Sequence, residues 1–229
     1  MDVEAGGLRA FHPAPFRHPA EGVETPDLLE GGDEPLGFVV RALTEEFPVV
    51  GRPALTAGYV EESHVAFATH MAGPLRVTTY AFAPWAEEGP AVALLAEVRN
   101  VSERSLAHPG LRLSDPGGAR WELGPLAPGA IAWVGALRRP GSERSIDDPQ
   151  GFLGAELEAW EAWRTDAVPA SLSPAERRVW RQSESVLRMA QARVSGAGRG
   201  QILASLPPGG WWIAWVRDMA YAMVALART

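Results

Sequence analysis

The hydrophobic period changes once along this 229-residue chain, near Asp148, and that change limits what the chain can fold into. From Gly37 to Leu137 the pattern is that of strands, with apolar residues alternating or gathered with β-branched and aromatic neighbours. Beyond Asp148 the apolar residues recur every three or four positions, as on one face of a helix. Glycine and proline punctuate the first part at short intervals, which is the signature of an antiparallel β-sandwich.

Particular segments carry this reading. Residues 75–82 are dominated by β-branched and aromatic side chains and predict a half-buried strand. In 91–101, Val92, Leu94, Ala96 and Val98 fall on one face, and Glu97 and Arg99 on the other. Residues 59–71 are strand-like throughout, and 120–123 and 130–137 predict two more strands around a turn at 125–129. The tetrapeptide Ser-Glu-Arg-Ser occurs at 102–105 and again at 142–145, and both copies read as polar turns. Asn100-Val101-Ser102 fits a glycosylation sequon, a match short enough to arise by chance.

The helical part has clear start signals. Asp148-Pro149 places a cap before a proline in the first turn, and Leu153, Leu157, Trp160 and Trp163 follow at helical spacing up to Pro169. Ser173-Pro174-Ala175-Glu176 is a capping box. After it Val179, Ser183, Val186, Leu187, Ala190 and Val194 form one stripe, predicting a helix of about twenty residues ended by Gly196 and Gly198. A further helix is expected over 218–228. The chain thus divides into an irregular segment (1–36), a β-sandwich (37–145), a helical linker (146–172) and a helical region (173–229).

Composition removes several classes of function. There is no cysteine, so disulfides, thiolate metal sites and cysteine nucleophiles are excluded. His12, His18, His64, His70 and His108 are scattered, no loop has calcium-ligand spacing, and no cofactor is expected. The formal net charge of −7 argues against nucleic acid as a partner. No apolar run approaches the ~20 residues that a membrane helix needs. No basic start followed by an apolar stretch opens the sequence, so no signal peptide is visible and the compartment stays open.

The segment richest in chemistry is 200–221. Trp211, Trp212 and Trp215 lie beside Arg217 and Asp218 at an expected helix start. An indole ring packs on the C–H face of a sugar, and a carboxylate accepts hydrogen bonds from its hydroxyls. A neighbouring arginine fixes that carboxylate, and a helix N-terminus favours its negative charge. The plainer alternative is that the tryptophans are core and that Arg217 and Asp218 are surface or capping groups.

Gly209-Gly210-Trp211 followed by Trp215-Val216-Arg217-Asp218-Met219-Ala220-Tyr221 resembles the Trp-x-Arg-Asp motif of glycoside hydrolase family 15, the glucoamylase family. Trp180-Arg181-Gln182-Ser183 and Val186-Leu187-Arg188 resemble that family's first barrel helix, and 200–205 the segment joining it to the motif. The resemblance covers about 173–229. It implies a large sandwich followed by a linker helix and the first helices of an (α/α)6 barrel. It also implies inverting hydrolysis of α-glucosidic bonds, with an α-glucan or a glucose-containing oligosaccharide as partner. Asp218 and Arg217 would bind the non-reducing glucose, Trp215 would wall the pocket, and Trp211 and Trp212 are further candidates.

The acid and base of such an enzyme are glutamates that follow the motif, so no residue of this chain takes either catalytic role. The chain is therefore expected to be an incomplete form, its exposed helices covered by a missing C-terminal barrel or another chain. A non-catalytic carbohydrate-binding or structural sandwich module and a related disaccharide phosphorylase are the alternatives. Glu87-Glu88 and Asp147-Asp148 are paired acids, but they match nothing in the motif.

Overall fold

The computed structural model describes residues 36–60, 62–87, 91–115, 117–164, 168–192, 199–204 and 214–227. The expected irregular N-terminal segment lies almost wholly outside them. The described residues form two antiparallel sheets and three helices. The smaller sheet has four strands in the order β2-β1-β7-β8: β1 (Phe38–Ala42), β2 (Glu45–Pro48), β7 (Gly110–Leu113) and β8 (Arg120–Glu122). The larger has six in the order β10-β9-β6-β5-β4-β3. Its strands are β3 (Thr56–Tyr59), β4 (Ala66–Ala72), β5 (Leu75–Phe82), β6 (Val92–Asn100), β9 (Ile131–Arg139) and β10 (Ser142–Ser145). The helices α1 (Pro149–Trp163), α2 (Pro174–Met189) and α3 (Val216–Leu226) follow.

The sheets share one core in a β-sandwich-like arrangement. Phe38, Val40, Leu111 and Leu113 of the smaller sheet cluster with Leu75, Val77, Val92, Leu94, Val98 and Val134 of the larger. The alternation expected in 91–101 is present, since Val92, Leu94, Ala96 and Val98 all face this core. The opposite face of β6 is also buried at one end. Ala93 and Leu95 join Phe82, Leu137 and Leu153 in a second cluster, with Phe152 and Leu157 packed against it. Helix α1 thus lies on the outer face of the larger sheet and adds a third layer. Gly135 makes that approach possible: a Cβ there would sit 2.6 Å from Leu95 Cδ2 and 3.2 Å from Pro149 Cβ.

Local sequence chemistry accounts for the helix starts. The Asp148 carboxylate accepts from the Gly151 N–H at 2.9 Å, one turn into α1. At α2, Ser173 Oγ accepts from Glu176 N, and the Glu176 carboxylate accepts from Ser173 N at 2.8 Å. Hydrogen bonding to Ser173, through its side chain and its backbone, holds the Glu176 carboxyl below the usual range.

Three expectations are corrected. Residues 59–71 are not one strand: Tyr59 ends β3, a turn follows, and Ala66 opens β4, which pairs antiparallel with β3. Glu62 adopts a positive φ of 57°, and Ser63 Oγ both donates to Val60 O and accepts from Val65 N, which closes a turn between β3 and β4. The second Ser-Glu-Arg-Ser is a strand, β10, zipped to β9 from Ser142↔Arg139 to Ser145↔Ala136. Its Glu143 is held by Arg138.

Helix α2 has 16 residues and ends at Met189, well before the glycines. The chain beyond it turns into a short pairing instead, with Ala192 N donating to Gln201 O at 2.7 Å and Leu203 N to Ala190 O at 3.0 Å. Much of the α2 stripe is turned away from the sandwich, with Ala190 in a separate small cluster. Val179 is 67% exposed and Val186 41%, whereas Glu184 and Ser185 are buried.

Asn100 is fully buried and its amide is spent inside the fold. Nδ2 donates to Arg104 O at 2.7 Å and Leu126 O at 2.9 Å, while Oδ1 accepts from Ser102 N and Ser102 Oγ. The sequon is therefore a structural turn, as the chance reading has it. Asn100→Ala removes these four hydrogen bonds from a largely buried turn and is expected to cost about 2–4 kcal/mol, read from the denaturant midpoint.

His70 on β4 is also fully buried, and neither ring nitrogen has a hydrogen-bond partner of good geometry. Burial pushes its pKa down, and the backbone of Arg52 offsets part of that shift. The unfolded chain therefore binds a proton at higher pH than the folded one. The neutral-His contribution is present above the ordinary imidazole pKa of about 6.5 and is lost as pH falls below it, toward the depressed folded value. Thermal melts from pH 7 to pH 5 should fall less steeply in His70→Leu than in the wild type.

Candidate functional site

Helix α3 carries the residues singled out in the sequence. Trp215 is its N-cap residue, in extended conformation with φ −90° and ψ 130°, and makes no side-chain cap hydrogen bond. The helix is closed at this end by Met219 N donating to Trp215 O at 2.8 Å. Arg217 and Asp218 lie in the first turn. Their side chains form an ion pair at 3.7 Å, too long for the direct hydrogen bond expected between them. Both are open to solvent, with Arg217 80% and Asp218 44% exposed, and Trp215 is 42% exposed. Trp211 and Trp212 lie outside the described residues.

The helix that presents these groups is lightly held. No residue of α3 is buried, and Met219, Ala222 and Leu226 pack against the small cluster of Ala190, Ile202 and Leu203. Between α2 and α3 runs an open, largely apolar groove of about 540 Å³, lined by Leu172, Ala175, Val179, Trp180, Leu187 and Ala225 among others. Tyr221, Met223 and Val224 of α3 are at least half exposed. The apolar stripes of both helices thus lie open.

A second constellation escapes sequence reasoning: the buried junction of α1, α2 and the turns of the larger sheet. The Glu156 carboxylate, 4% exposed, accepts from Trp85 N at 2.8 and 2.9 Å. His64 Nε2 lies 3.2 Å from both Glu156 Oε1 and Ala83 O, two acceptors, so this nitrogen carries the proton. Trp160 stacks on His64 at 4.0 Å and donates its indole N–H to Ser185 Oγ at 3.1 Å. Ser185 in turn donates to Glu62 O at 2.9 Å and accepts from Arg164. The Arg188 guanidinium lies 3.9 Å from the Trp85 ring centre and 4.8 Å from that of Trp163, a cation held between two indoles.

No local pattern announces this junction. Trp85 and Glu156 are 71 positions apart, and each of its members stands alone among ordinary neighbours. Most of its polar groups engage one another, with buried His64 Nδ1 and Arg164 Nε lacking a hydrogen-bond partner, and the network joins three elements in the manner of a fastening. Two of the paired acids of the sequence are also engaged in the fold. Glu87 binds Arg139 and Arg144, and Asp148 caps α1. Glu88 lies outside the described residues. Among those residues, no three histidine or acidic side chains gather to hold a metal ion, and no helix is long and apolar enough to cross a membrane.

No protein-family model, curated protein or solved structure matches this chain significantly.

The fastening role has a direct consequence. Glu156→Ala removes the carboxylate that accepts from the Trp85 N–H and one of the two acceptors beside His64 Nε2, and should lower stability by about 2–4 kcal/mol in urea unfolding. Asp147→Ala, on an exposed side chain, should change it by less than about 0.5 kcal/mol.

Proposed function

We propose that this chain is the sandwich and sugar-positioning part of a glucoamylase-type glycoside hydrolase, an inverting enzyme for α-glucosidic bonds. On this reading α2 and α3 belong to an (α/α)6 barrel. The observation that carries it is the opening of α3, where Trp215, Arg217 and Asp218 stand together within one turn and face solvent. A carboxylate there can accept from two sugar hydroxyls, the guanidinium can donate to others, and the indole can cover an apolar sugar face. The order of elements supports the reading: two sheets, then α1 on the outer face, then the capped helix α2, then the Trp-x-Arg-Asp turn. The open apolar stripes of α2 and α3 are what helices of a larger helical layer present to their neighbours.

In this assignment Asp218 and Arg217 orient the substrate, and the proton donor and the water-activating base are supplied by glutamates other than those described here. A second reading, a non-catalytic carbohydrate-binding module, is favoured by the engagement of Glu87, Glu156, Glu184 and Asp148 in ion pairs, buried hydrogen bonds and a helix cap. The hydrolase reading requires sugar binding at the α3 turn, whereas the module reading places it on the sandwich.

Titration calorimetry with maltotriose, isomaltose and trehalose tests that requirement, and proton NMR of the same mixtures follows release of β-glucose, the product of inversion. Asp218→Asn should weaken binding of the preferred sugar at least tenfold while leaving the melting temperature within about 2 °C of wild type, since the side chain caps nothing. A lower melting temperature with unchanged sugar affinity would make Asp218 a structural residue and sink the assignment.

A further inference from the structure

The outer face of the larger sheet, beyond the end covered by α1, carries an ordered set of side chains, of which Tyr80 and Trp133 also pack against the cluster beneath α1. Strand register places them in rows. Thr69, Thr78, Glu97 and Trp133 lie side by side across β4, β5, β6 and β9. In the next row of the same face, about 6.8 Å along the strands, Arg76 stands directly opposite Arg99. On the other side of the Thr78–Glu97 row, Tyr80 stacks on Trp133 with ring centres 5.6 Å apart and planes 20° apart. These side chains are half-buried, so the face is neither core nor freely solvated.

Two arginines directly opposite on neighbouring strands repel each other. Among the described residues neither has a carboxylate partner within ion-pair distance, and the buried Nε of Arg99 has no acceptor. The nearest acid in the rows is Glu97, which leaves two cations to one carboxylate on a chain whose formal charge is −7. Its influence is felt on the other side: burial first, and the Glu97 charge second, push the Tyr80 phenol above its ordinary pKa. An uncompensated arginine pair in a partly desolvated setting is complementary to a carboxylate, which a guanidinium engages through paired N–H donors. The neighbouring indole, phenol, hydroxyl and carboxylate are the groups that receive a sugar ring.

We propose that this sheet face binds an oligosaccharide bearing a carboxylate, a uronic-acid glycan, with the uronate on Arg76 and Arg99 and the adjoining sugar along Trp133 and Glu97. The site is on the sandwich, distinct from the α3 turn, and stands whether or not the hydrolase reading does.

The test is calorimetry or chemical-shift titration of the whole chain at low salt with oligogalacturonate. Maltotriose, acetate and inorganic phosphate serve as comparison probes. Oligogalacturonate should bind more tightly than the three others, with affinity falling as salt is added. Arg76→Gln/Arg99→Gln should weaken it at least tenfold, and Trp133→Ala severalfold. The arginine variant removes a repulsion rather than a contact, so its melting temperature should not fall; should Trp133→Ala fail to fold, Glu97→Gln reads the sugar contact instead.

Absence of oligogalacturonate binding, or binding unchanged in the arginine variant, overturns the proposal. Phosphate or acetate binding as tightly as the glycan also overturns it, because the face would then hold an anion without recognising a sugar. Asp218→Asn should leave oligogalacturonate affinity unchanged, which separates this site from the one on α3.

Discussion

The attachment of the helices to the sandwich rests on one buried carboxylate. Glu156 reaches from α1 to the backbone of Trp85 and to His64, joining the helix to two different turns of the larger sheet. Removing a carboxylate from water is costly, and the cost is offset here by charge-assisted donors and by Trp160 stacked over the His64 ring. The direction that α1 takes then fixes where Trp160 can meet Ser185, and through that hydrogen bond where α2 lies. The apolar cluster beneath α1 supplies area, and Gly135 supplies the room, but neither is directional.

Because α2 is attached through Ser185, Arg164 and Glu62, its polar side is turned inward and its apolar side outward. An isolated amphipathic helix would dock the other way round. The arrangement makes sense when the outward stripe has its own neighbours, and α3 supplies only a small part of them through Ala225 and the cluster at Ile202. The groove between the helices and their exposed stripes follow from this orientation.

The larger sheet divides its outer face between two uses. One end is buried under α1 by Phe82, Ala93, Leu95 and Leu137, and the other keeps polar and charged side chains in register with an aromatic pair. The division follows from length. Helix α1 has 15 residues, about 22 Å, and its first turn is fixed near β9 by the Asp148 cap and Gly135, so it covers one end of the sheet only.

What the sequence determined by itself was local. The strand at 75–82, the two faces of 91–101, the Asp148 cap and the Ser173 capping box depend on spacings of a few residues, and neighbouring side chains suffice to specify them. Turns set by a single unusual residue were harder: Glu62 in the left-handed region splits one apparent strand into two, and no composition signal marks it. The end of α2 was misjudged because its stop is a pairing with 200–203, not the glycines further on. The Trp-Arg-Asp turn was legible as a cluster, since its members are adjacent in the chain. The Glu156 junction and the rows on the outer sheet face were not, because each joins residues from separate elements. Periodicity says that a helix has an apolar side, but which side turns inward is decided by the partner it meets. Here the partner offered a carbonyl and an indole N–H to Ser185, and those directional bonds, absent from any local pattern, set the tertiary arrangement.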